Sequence, residues 1–282
     1  MTSPIEPRTA SLYHASRAAA VEPGAAAGIV AAAAASCLAA SVLAPAAVSF
    51  AAAQLALAAV TVVASAIARP GDRGGAAGVR GALGLFGAKP RFFAAAIAIG
   101  ATAWYLNLWI ETLLDRVLSL PRQEVRSLEV LVERPSIAGA LALYALLPAV
   151  CEELAFRGVL ARALGRRWSL LAAAAVSAVA FSAYHLSVIQ ALPTLTLGLA
   201  LGAIAIRADS AAPTMLAHAI NNALAVAMSR GVLPSLASWL DAHPIAATLG
   251  CAAATGGGIA LAVFRPRERR AADGAEPGKA LL

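Results

Sequence analysis

The sequence predicts an all-α integral membrane protein, a polytopic helical bundle with about eight transmembrane helices, on three observations. First, 60% of the 282 residues are hydrophobic and only 13% are charged, whereas soluble domains carry about 25% charged residues. Second, the mean hydropathy is +0.76. Third, the apolar residues form continuous runs rich in Ala and Leu, not the alternating segments of a membrane β-barrel. Since backbone inside a bilayer must satisfy its own hydrogen bonds, such runs predict helices.

Eight apolar runs are interpreted as spans, separated by polar or basic segments. The predicted spans are residues 25–43, 48–68, 92–110, 136–164, 168–190, 192–206, 211–228 and 245–264. They divide the chain into an N-terminal region at 1–135 with about three spans, a helical core at 136–230, and a last span with a basic tail at 231–282. The first run is longer than the apolar core of a secretory signal, which favours a retained span over a cleaved signal peptide.

Each span has its own justification, in chain order. Ala-rich runs of about 20 residues predict the first three, and Pro45 breaks the first from the second. The fourth is long enough to tilt or to project from the bilayer. The fifth and seventh are apolar runs that carry isolated polar residues. The short sixth contains Gly198 and Gly202, a small-xxx-small pattern that allows close helix packing. The eighth is apolar but is weakened by a glycine triplet at 256–258.

The net charge of +7 predicts membrane orientation and not nucleic-acid binding, because the basic residues lie in loops between apolar runs. With eight crossings and both termini in the cytoplasm, 16 basic residues fall inside and 5 outside. This positive-inside bias predicts cytoplasmic termini. The composition, rich in Ala, Gly and Arg, is typical of a bacterial protein. We therefore expect a multi-pass protein of the inner (cytoplasmic) membrane, with the lipid bilayer as its surroundings.

The ionisable residues inside the predicted spans are concentrated on three helices. The fourth span holds Glu152, Glu153 and Arg157, the fifth holds His185, and the seventh holds His218. Ionisable side chains are costly within a bilayer, and they usually mark functional sites. Each of these residues is therefore a candidate functional residue.

Helical spacing assigns the charged residues of the fourth span to two faces. Glu153 and Arg157 are four residues apart, so they can pair on one face and offset the cost of burying either charge. Glu152 points about 100° away from Glu153 around the helix. Glu152 is therefore free to face a different partner.

Spacing also links the polar residues of the fifth and seventh spans. Phe181 and His185 are four residues apart, as are His218 and Asn222, so each pair shares a helix face. We expect the three helices to bring His185, His218 and Asn222 together with Glu152 around one cavity.

The polar residues of the three helices form three motifs along the chain. These motifs, in their chain order, resemble those of the CAAX protease and bacteriocin-processing family (CPBP, or Abi) of intramembrane proteases. The motifs are Glu152-Glu153-x-x-x-Arg157, Phe181-x-x-x-His185 and His218-x-x-x-Asn222. Each motif alone is weak, but the ordered trio within apolar spans is much more specific. The resemblance covers about residues 136–230, roughly a third of the chain.

The resemblance implies an endopeptidase that hydrolyses a peptide bond in a membrane-associated protein or peptide. By motif position, Glu152 would be the general base, and His185 would help to hold and polarise the water. His218 and Asn222 would stabilise the oxyanion. The supporting residues would be Glu153, Arg157 and Phe181. The family's substrates include prenylated C-terminal peptides, bacteriocin leader peptides and C-terminal anchoring tails. The bacterial composition makes prenylated peptides the least expected of these, and the sequence does not identify the substrate further.

Three alternatives remain open from the residues alone. Glu152, His185 and His218 could instead bind Zn²⁺, with a fourth position open for water. No cofactor is favoured, because the His-Glu-x-x-His signature of many zinc proteases is missing from the sequence. Buried Glu and His also build proton relays in transporters, although no inverted repeat is evident here. A non-catalytic membrane scaffold or immunity protein is the third possibility.

Overall fold

The computed structural model describes residues 21–45, 48–68, 76–118 and 135–264. Every regular element within these ranges is helical, so the all-α prediction is confirmed. The ten helices are α1 Pro23–Leu43, α2 Ser49–Ala68, α3 Ala76–Ala82, α4 Pro90–Leu118, α5 Ile137–Gly165, α6 Leu170–Tyr184, α7 Val188–Ala208, α8 Ala212–Ser229, α9 Pro234–Ala242 and α10 Pro244–Val263.

Six of the described helices are long and apolar enough to cross a membrane, namely α1, α2, α4, α5, α7 and α10. Helix α8 qualifies only together with α9, from which it is bent by 89°. Helix α6 is apolar but has only 15 residues. At 1.5 Å per residue it spans about 22 Å, less than the ~30 Å hydrocarbon core. The polytopic membrane bundle is confirmed, while two of the eight predicted spans are too short or too polar to cross alone.

The predicted boundary between the fifth and sixth spans was wrong. The sequence placed it at residues 190–192, whereas α6 ends at Tyr184 and α7 begins at Val188. Apolar residues on both sides conceal the turn. Leu186 adopts a left-handed conformation with φ 50°, and the Ser187 hydroxyl accepts a hydrogen bond from a backbone N–H at the start of α7. His185 therefore lies at the C-terminal end of α6 and not within a span.

Other differences concern the segments between spans. Helix α4 continues eight residues past its predicted end, and the short helices α3 and α9 form within segments predicted as loops. The predictions for the N-terminal stretch 1–20, for most of the loop 111–135 and for the tail after Phe264 lie outside the described residues.

Small residues allow the helices of the core to approach closely, as the glycine pattern predicts. A β-carbon added at Gly198 would lie 3.1 Å from the β-carbon of Ala178, and one at Gly202 would lie 3.2 Å from the α-carbon of Ala174. These contacts pack α7 antiparallel against α6. A β-carbon at Gly100 would lie only 2.5 Å from the backbone oxygen of Ala217, which packs α4 equally closely against α8.

Helix α5 lies at the centre of the bundle, and its two halves differ in burial. Every residue from Cys151 to Leu164 is buried, whereas the half before Cys151 is only partly covered. Two stretches, Leu141–Leu146 and Leu154–Ala161, have π-helical hydrogen bonding. Such π-helical turns often occur at functional sites. The charged pair of Glu residues lies between the two stretches.

A buried arginine at the C-terminal end of α5 connects several helices at one end of the bundle. The Arg162 Nε donates to Asp209 at 2.8 Å, and Nη1 donates to the carbonyl oxygens of Gly81 and Gly158 at 3.0 Å each. These bonds tie α5 to α3 and to the end of α7. Buried charges need such partners, so Arg162 joins three elements at this end.

The same end of the bundle also carries the first and last described helices. Arg167, which follows α5, pairs with Glu22 at the start of α1 at 3.0 Å. Arg91, at the start of α4, donates to the carbonyl oxygen of Phe264 at the end of α10 at 3.0 Å. The N-terminal end of α1 and the C-terminal end of α10 therefore lie on the same side of the bundle.

Candidate active site

Glu152 lies in the middle of α5, where its carboxylate is buried at 4% exposure. Oε1 accepts a hydrogen bond from Nε2 of Gln54 on α2 at 2.8 Å. Oε2 lies 4.0 Å from Nε2 of His185 and 4.0 Å from Nε2 of His218. The structure thus brings together three of the predicted catalytic residues, and the two carboxylate oxygens have different surroundings.

His185 is oriented by the last turn of α6. Its Nδ1 lies 2.8 Å from the backbone oxygen of Phe181. A carbonyl oxygen can only accept, so Nδ1 carries the proton and neutral His185 presents an Nε2 lone pair towards Glu152. The ring packs edge-on against Phe181, with centroids 4.7 Å apart. The predicted i,i+4 relation thus survives although His185 is at the helix end.

His218 is oriented by a carboxylate from another helix. Its Nδ1 lies 2.9 Å from Oε1 of Glu153, and both side chains are buried. Nδ1 therefore donates, and Nε2 is directed towards Glu152. The two adjacent glutamates of α5 thus face different nitrogens of the His218 ring: Glu153 bonds to Nδ1, and Glu152 faces Nε2.

Glu153 also forms the predicted pair with Arg157 along α5. Arg157 Nη1 lies 2.9 Å from Glu153 Oε1, and both side chains are fully buried. The guanidinium stacks over the ring of Phe181 at 3.9 Å from its centroid, a cation–π contact between α5 and α6. Phe181 therefore contacts both Arg157 and His185.

Asn222 lies one turn beyond His218 on α8, and its amide reaches back to α5. Nδ2 donates to the carbonyl oxygen of Tyr144 at 3.2 Å. Pro148 stands four residues after Tyr144 and has no N–H, so the Tyr144 carbonyl cannot form the i+4 hydrogen bond of an α-helix. The Asn222 amide donates to this carbonyl from α8. Its Nδ2 carries a second hydrogen, while its Oδ1 accepts from Asn221 at 3.2 Å.

Gln54 is the contact that sequence reasoning missed. It lies in the predicted second span, among residues that gave no ionisable candidate, and it is 98 residues away from its partner Glu152. A polar residue in an apolar run can indicate a functional contact, but Thr61 and Ser65 of the same helix are also polar. Only the packing of α2 against α5 distinguishes Gln54.

The zinc alternative can be compared with the donor atoms present. Both histidines anchor Nδ1 and present Nε2, as metal-binding histidines do. However, bonds of about 2.0–2.1 Å in a tetrahedral site bring ligand atoms to roughly 3.3 Å of each other. The separations here are 4.0 Å. In the part of the chain that the structure describes, no three His, Cys, Asp or Glu side chains are spaced to hold a metal ion.

The comparisons with known proteins concern the central third of the chain. Residues 134–224 match the family model described as type II CAAX prenyl endopeptidase Rce1-like. No curated protein and no solved structure matches the chain significantly. The matched region contains all three motifs and starts and ends close to the 136–230 core predicted from them. The match supports a CAAX-type intramembrane endopeptidase as the general activity. Residues 134–224 of this membrane protein are thus similar to the Rce1-like family, consistent with the CPBP resemblance of their motifs.

Proposed function

We propose that this chain is an intramembrane endopeptidase in which Glu152 and His185 activate a water, and in which His218 and Asn222 stabilise the oxyanion. One observation carries the proposal. Oε2 of Glu152 and the Nε2 atoms of both histidines converge from three helices, with 4.0 Å between the carboxylate oxygen and each nitrogen. A direct hydrogen bond would be shorter, at about 2.7–3.2 Å.

The 4.0 Å separations suit a bridging water. A water oxygen about 2.8 Å from Oε2 and from each Nε2 fits between atoms that are this far apart. Glu152 Oε2 has no hydrogen-bond partner among the described residues, so it is free to accept a proton from such a water. His185 presents a lone pair and would accept the second hydrogen of the same water.

The hydrolysis then follows ordinary general-base chemistry. Glu152 takes a proton from the water as the water oxygen attacks the scissile carbonyl carbon. The carbonyl becomes a tetrahedral oxyanion. The C–N bond breaks as the proton held by Glu152 passes to the leaving amine. One water is consumed, its hydroxyl joins the acyl product, and Glu152 returns to its starting state.

Charge balance supports a role for His218 in stabilising the oxyanion. The carboxylates of Glu152 and Glu153 are near one guanidinium, that of Arg157, which leaves one negative charge unbalanced. Unbalanced buried charge is costly. A protonated His218, donating Nδ1–H to Glu153, would neutralise the cluster and turn Nε2–H towards the oxyanion. Asn222 would use its second amide hydrogen in the same way.

The position of the site within the bundle supports a proposal for the class of substrate and for the membrane. We propose a membrane-associated protein or peptide as substrate, because the converging groups lie near the middle of α5, about 20 Å from either end at 1.5 Å per residue. We further propose the inner membrane, with the basic end of the bundle in the cytoplasm.

A Glu152→Gln variant tests the proposed base. Gln keeps the size of the side chain but cannot take the proton, so turnover should fall by roughly 10²–10⁴. The assay follows three quenched fluorescent peptides in proteoliposomes: one C-terminally prenylated, one leader peptide and one with a hydrophobic tail. Asp241→Asn, an exposed acid on α9, is the matched control and should cleave as the intact protein does. If none of the peptides is cleaved in a Glu152-dependent manner, the proton-relay and scaffold hypotheses gain ground.

A metal analysis distinguishes the glutamate mechanism from a zinc mechanism. The glutamate mechanism predicts that strong chelators leave the purified protein active. If zinc were bound, Glu152, His185 and His218 would hold it, and it would act as a Lewis acid on water. One zinc per chain, lost together with activity and restored by added zinc, would overturn the glutamate mechanism but keep the protease.

A further inference from the structure

We propose that Gln54 is a positioning residue for Glu152: its amide holds one carboxylate oxygen so that the other is aimed at the two histidines. This inference rests on the proposed function of Glu152 as the base. Gln54 belongs to α2, which lies outside the family match at residues 134–224. The N-terminal helices therefore contribute directly to the site.

The contact between Gln54 and Glu152 is buried and has a defined direction. Gln54 is 3% exposed, Glu152 is 4% exposed, and Nε2 lies 2.8 Å from Oε1. An ionised carboxylate can only accept, so the amide nitrogen and not the amide oxygen must face it. Hydrogen bonds to a charged acceptor are stronger than neutral ones.

Gln54 is the single hydrogen-bond donor that Glu152 has among the described residues. Oε1 receives the Gln54 amide, and Oε2 has no partner in that part of the chain. The terminal torsion of a Glu side chain is broad and roughly two-fold, so an unheld carboxylate would rotate between orientations. With Oε1 held, rotation is restricted, and Oε2 stays directed towards His185 and His218.

The amide oxygen of Gln54, unlike its amide nitrogen, is left without a partner: Oε1 is buried and has no hydrogen-bond partner among the described residues. A buried unpaired amide oxygen is unfavourable, so the amide is kept at this position in spite of that cost. The amide nitrogen of Gln54 bonds to the proposed base, whereas its amide oxygen bonds to nothing among the described residues. This arrangement fits a role in orienting the base.

The test is a double-mutant cycle that combines Gln54→Met with Glu152→Gln. Met keeps the length and volume of Gln but donates no hydrogen bond. In the intact background, kcat should fall by about 10–100-fold, the size expected for losing a hydrogen bond to a charged group. KM should change less than twofold, because Gln54 does not contact the peptide. In the Glu152→Gln background, Gln54→Met should have little further effect, because no carboxylate remains to be positioned.

Two controls separate positioning from folding. Thr61→Val changes another buried polar residue of α2, whose hydroxyl bonds only to the backbone oxygen of Leu57 in its own helix, and it should leave kcat unchanged. Thermal melting in detergent measures the cost of leaving Oε1 of Glu152 without its donor, and kcat is expressed per folded protein so that a loss of stability is not counted as a loss of catalysis. Gln54→Leu, measured alongside, should behave in the same way if the Met variant accumulates poorly.

The possible results are distinct. Equal losses of kcat from Gln54→Met in both backgrounds, or a loss explained by a smaller folded fraction, would overturn the positioning role of Gln54. Unchanged kcat in Gln54→Met and Gln54→Leu would overturn it as well. If Glu152→Gln itself cleaves normally, the proposed function fails, and the same cycle identifies that failure separately.

Discussion

Two adjacent glutamates of α5 have different partners because they point in different directions. Glu153 is paired twice, with Arg157 and with His218, and it is fully buried. Glu152 has one donor, Gln54, and one oxygen without a partner. A carboxylate with two cationic or donor partners is held in place, whereas one with a free oxygen can accept a proton. At the residue scale, the two glutamates therefore differ in their partners, as the proposed roles of a supporting residue and a base require.

The Arg157→Ala variant should lower the amount of folded protein. It removes the guanidinium that pairs with buried Glu153, and breaking a buried ion pair typically costs about 3–5 kcal/mol. Folded protein is measured as the monodisperse fraction extracted from membranes, together with its melting temperature. A combined Glu153→Gln and Arg157→Met variant removes both charges and should recover much of the loss.

Arg167→Ala is the matched control for the Arg157 prediction. Arg167 also pairs with a glutamate, Glu22, but the side chains are 65% and 54% exposed. Exposed pairs contribute roughly 0–1 kcal/mol, so this variant should fold normally. If Arg157→Ala accumulates like the intact protein but is inactive, Arg157 takes part in the chemistry and is not merely supporting.

At the scale of elements, small residues and irregular helix turns position the site. Gly198 and Gly202 allow α7 to pack tightly on α6, which ends at Tyr184, directly before His185. The Tyr144 carbonyl lies in the π-helical turn before Pro148 and accepts a hydrogen bond from Asn222. The site therefore depends on helix packing as much as on the polar residues themselves.

The Gly198→Val variant should destabilise the packing of α6 against α7. Even a β-carbon there would lie 3.1 Å from that of Ala178, so the larger side chain must push the helices apart, at about 1–3 kcal/mol. The melting temperature should fall, and activity should fall with it because His185 moves. Gly250→Val on α10 is the control, since a β-carbon there meets nothing within 4 Å. Equal melting temperatures for the two variants would contradict the close packing of α6 on α7.

At the scale of the whole molecule, three arginines of the described residues make contacts at one end of the bundle. Contacts of Arg162, Arg167 and Arg91 join the ends of α1, α3, α5, α7 and α10 at that end. At the opposite end, Arg230 after α8 donates to the Pro135 carbonyl at the start of α5 at 2.9 Å.

The positive-inside rule then predicts the orientation of the bundle. Reporter fusions made after residue 90 should lie in the cytoplasm, and fusions near residue 125 should lie outside. The measurement pairs alkaline phosphatase, active outside, with a fluorescent protein, active inside. A fusion at the C-terminus serves as the control and should report the cytoplasm. A fusion after residue 90 that reports the outside would reverse the orientation.

The sequence by itself determined the features that depend on local chemistry. Long apolar runs can satisfy their backbone in a bilayer only as helices, so the all-α membrane bundle followed from composition. The Glu153–Arg157 pair and the contact of Phe181 with His185 followed from the spacing of i and i+4 on a helix. The rarity of ionisable residues in such runs also singled out Glu152, His185 and His218.

The tertiary structure decided what depends on which helices lie side by side. The turn after His185 was concealed because the residues on both sides of it are apolar, so hydropathy changes little there. The bond of Gln54 to Glu152 joins residues 98 positions apart. The donation of Asn222 to the Tyr144 carbonyl joins residues 78 positions apart. Spacing along one helix carries no information about such partners, because they are set by the packing of side chains between helices.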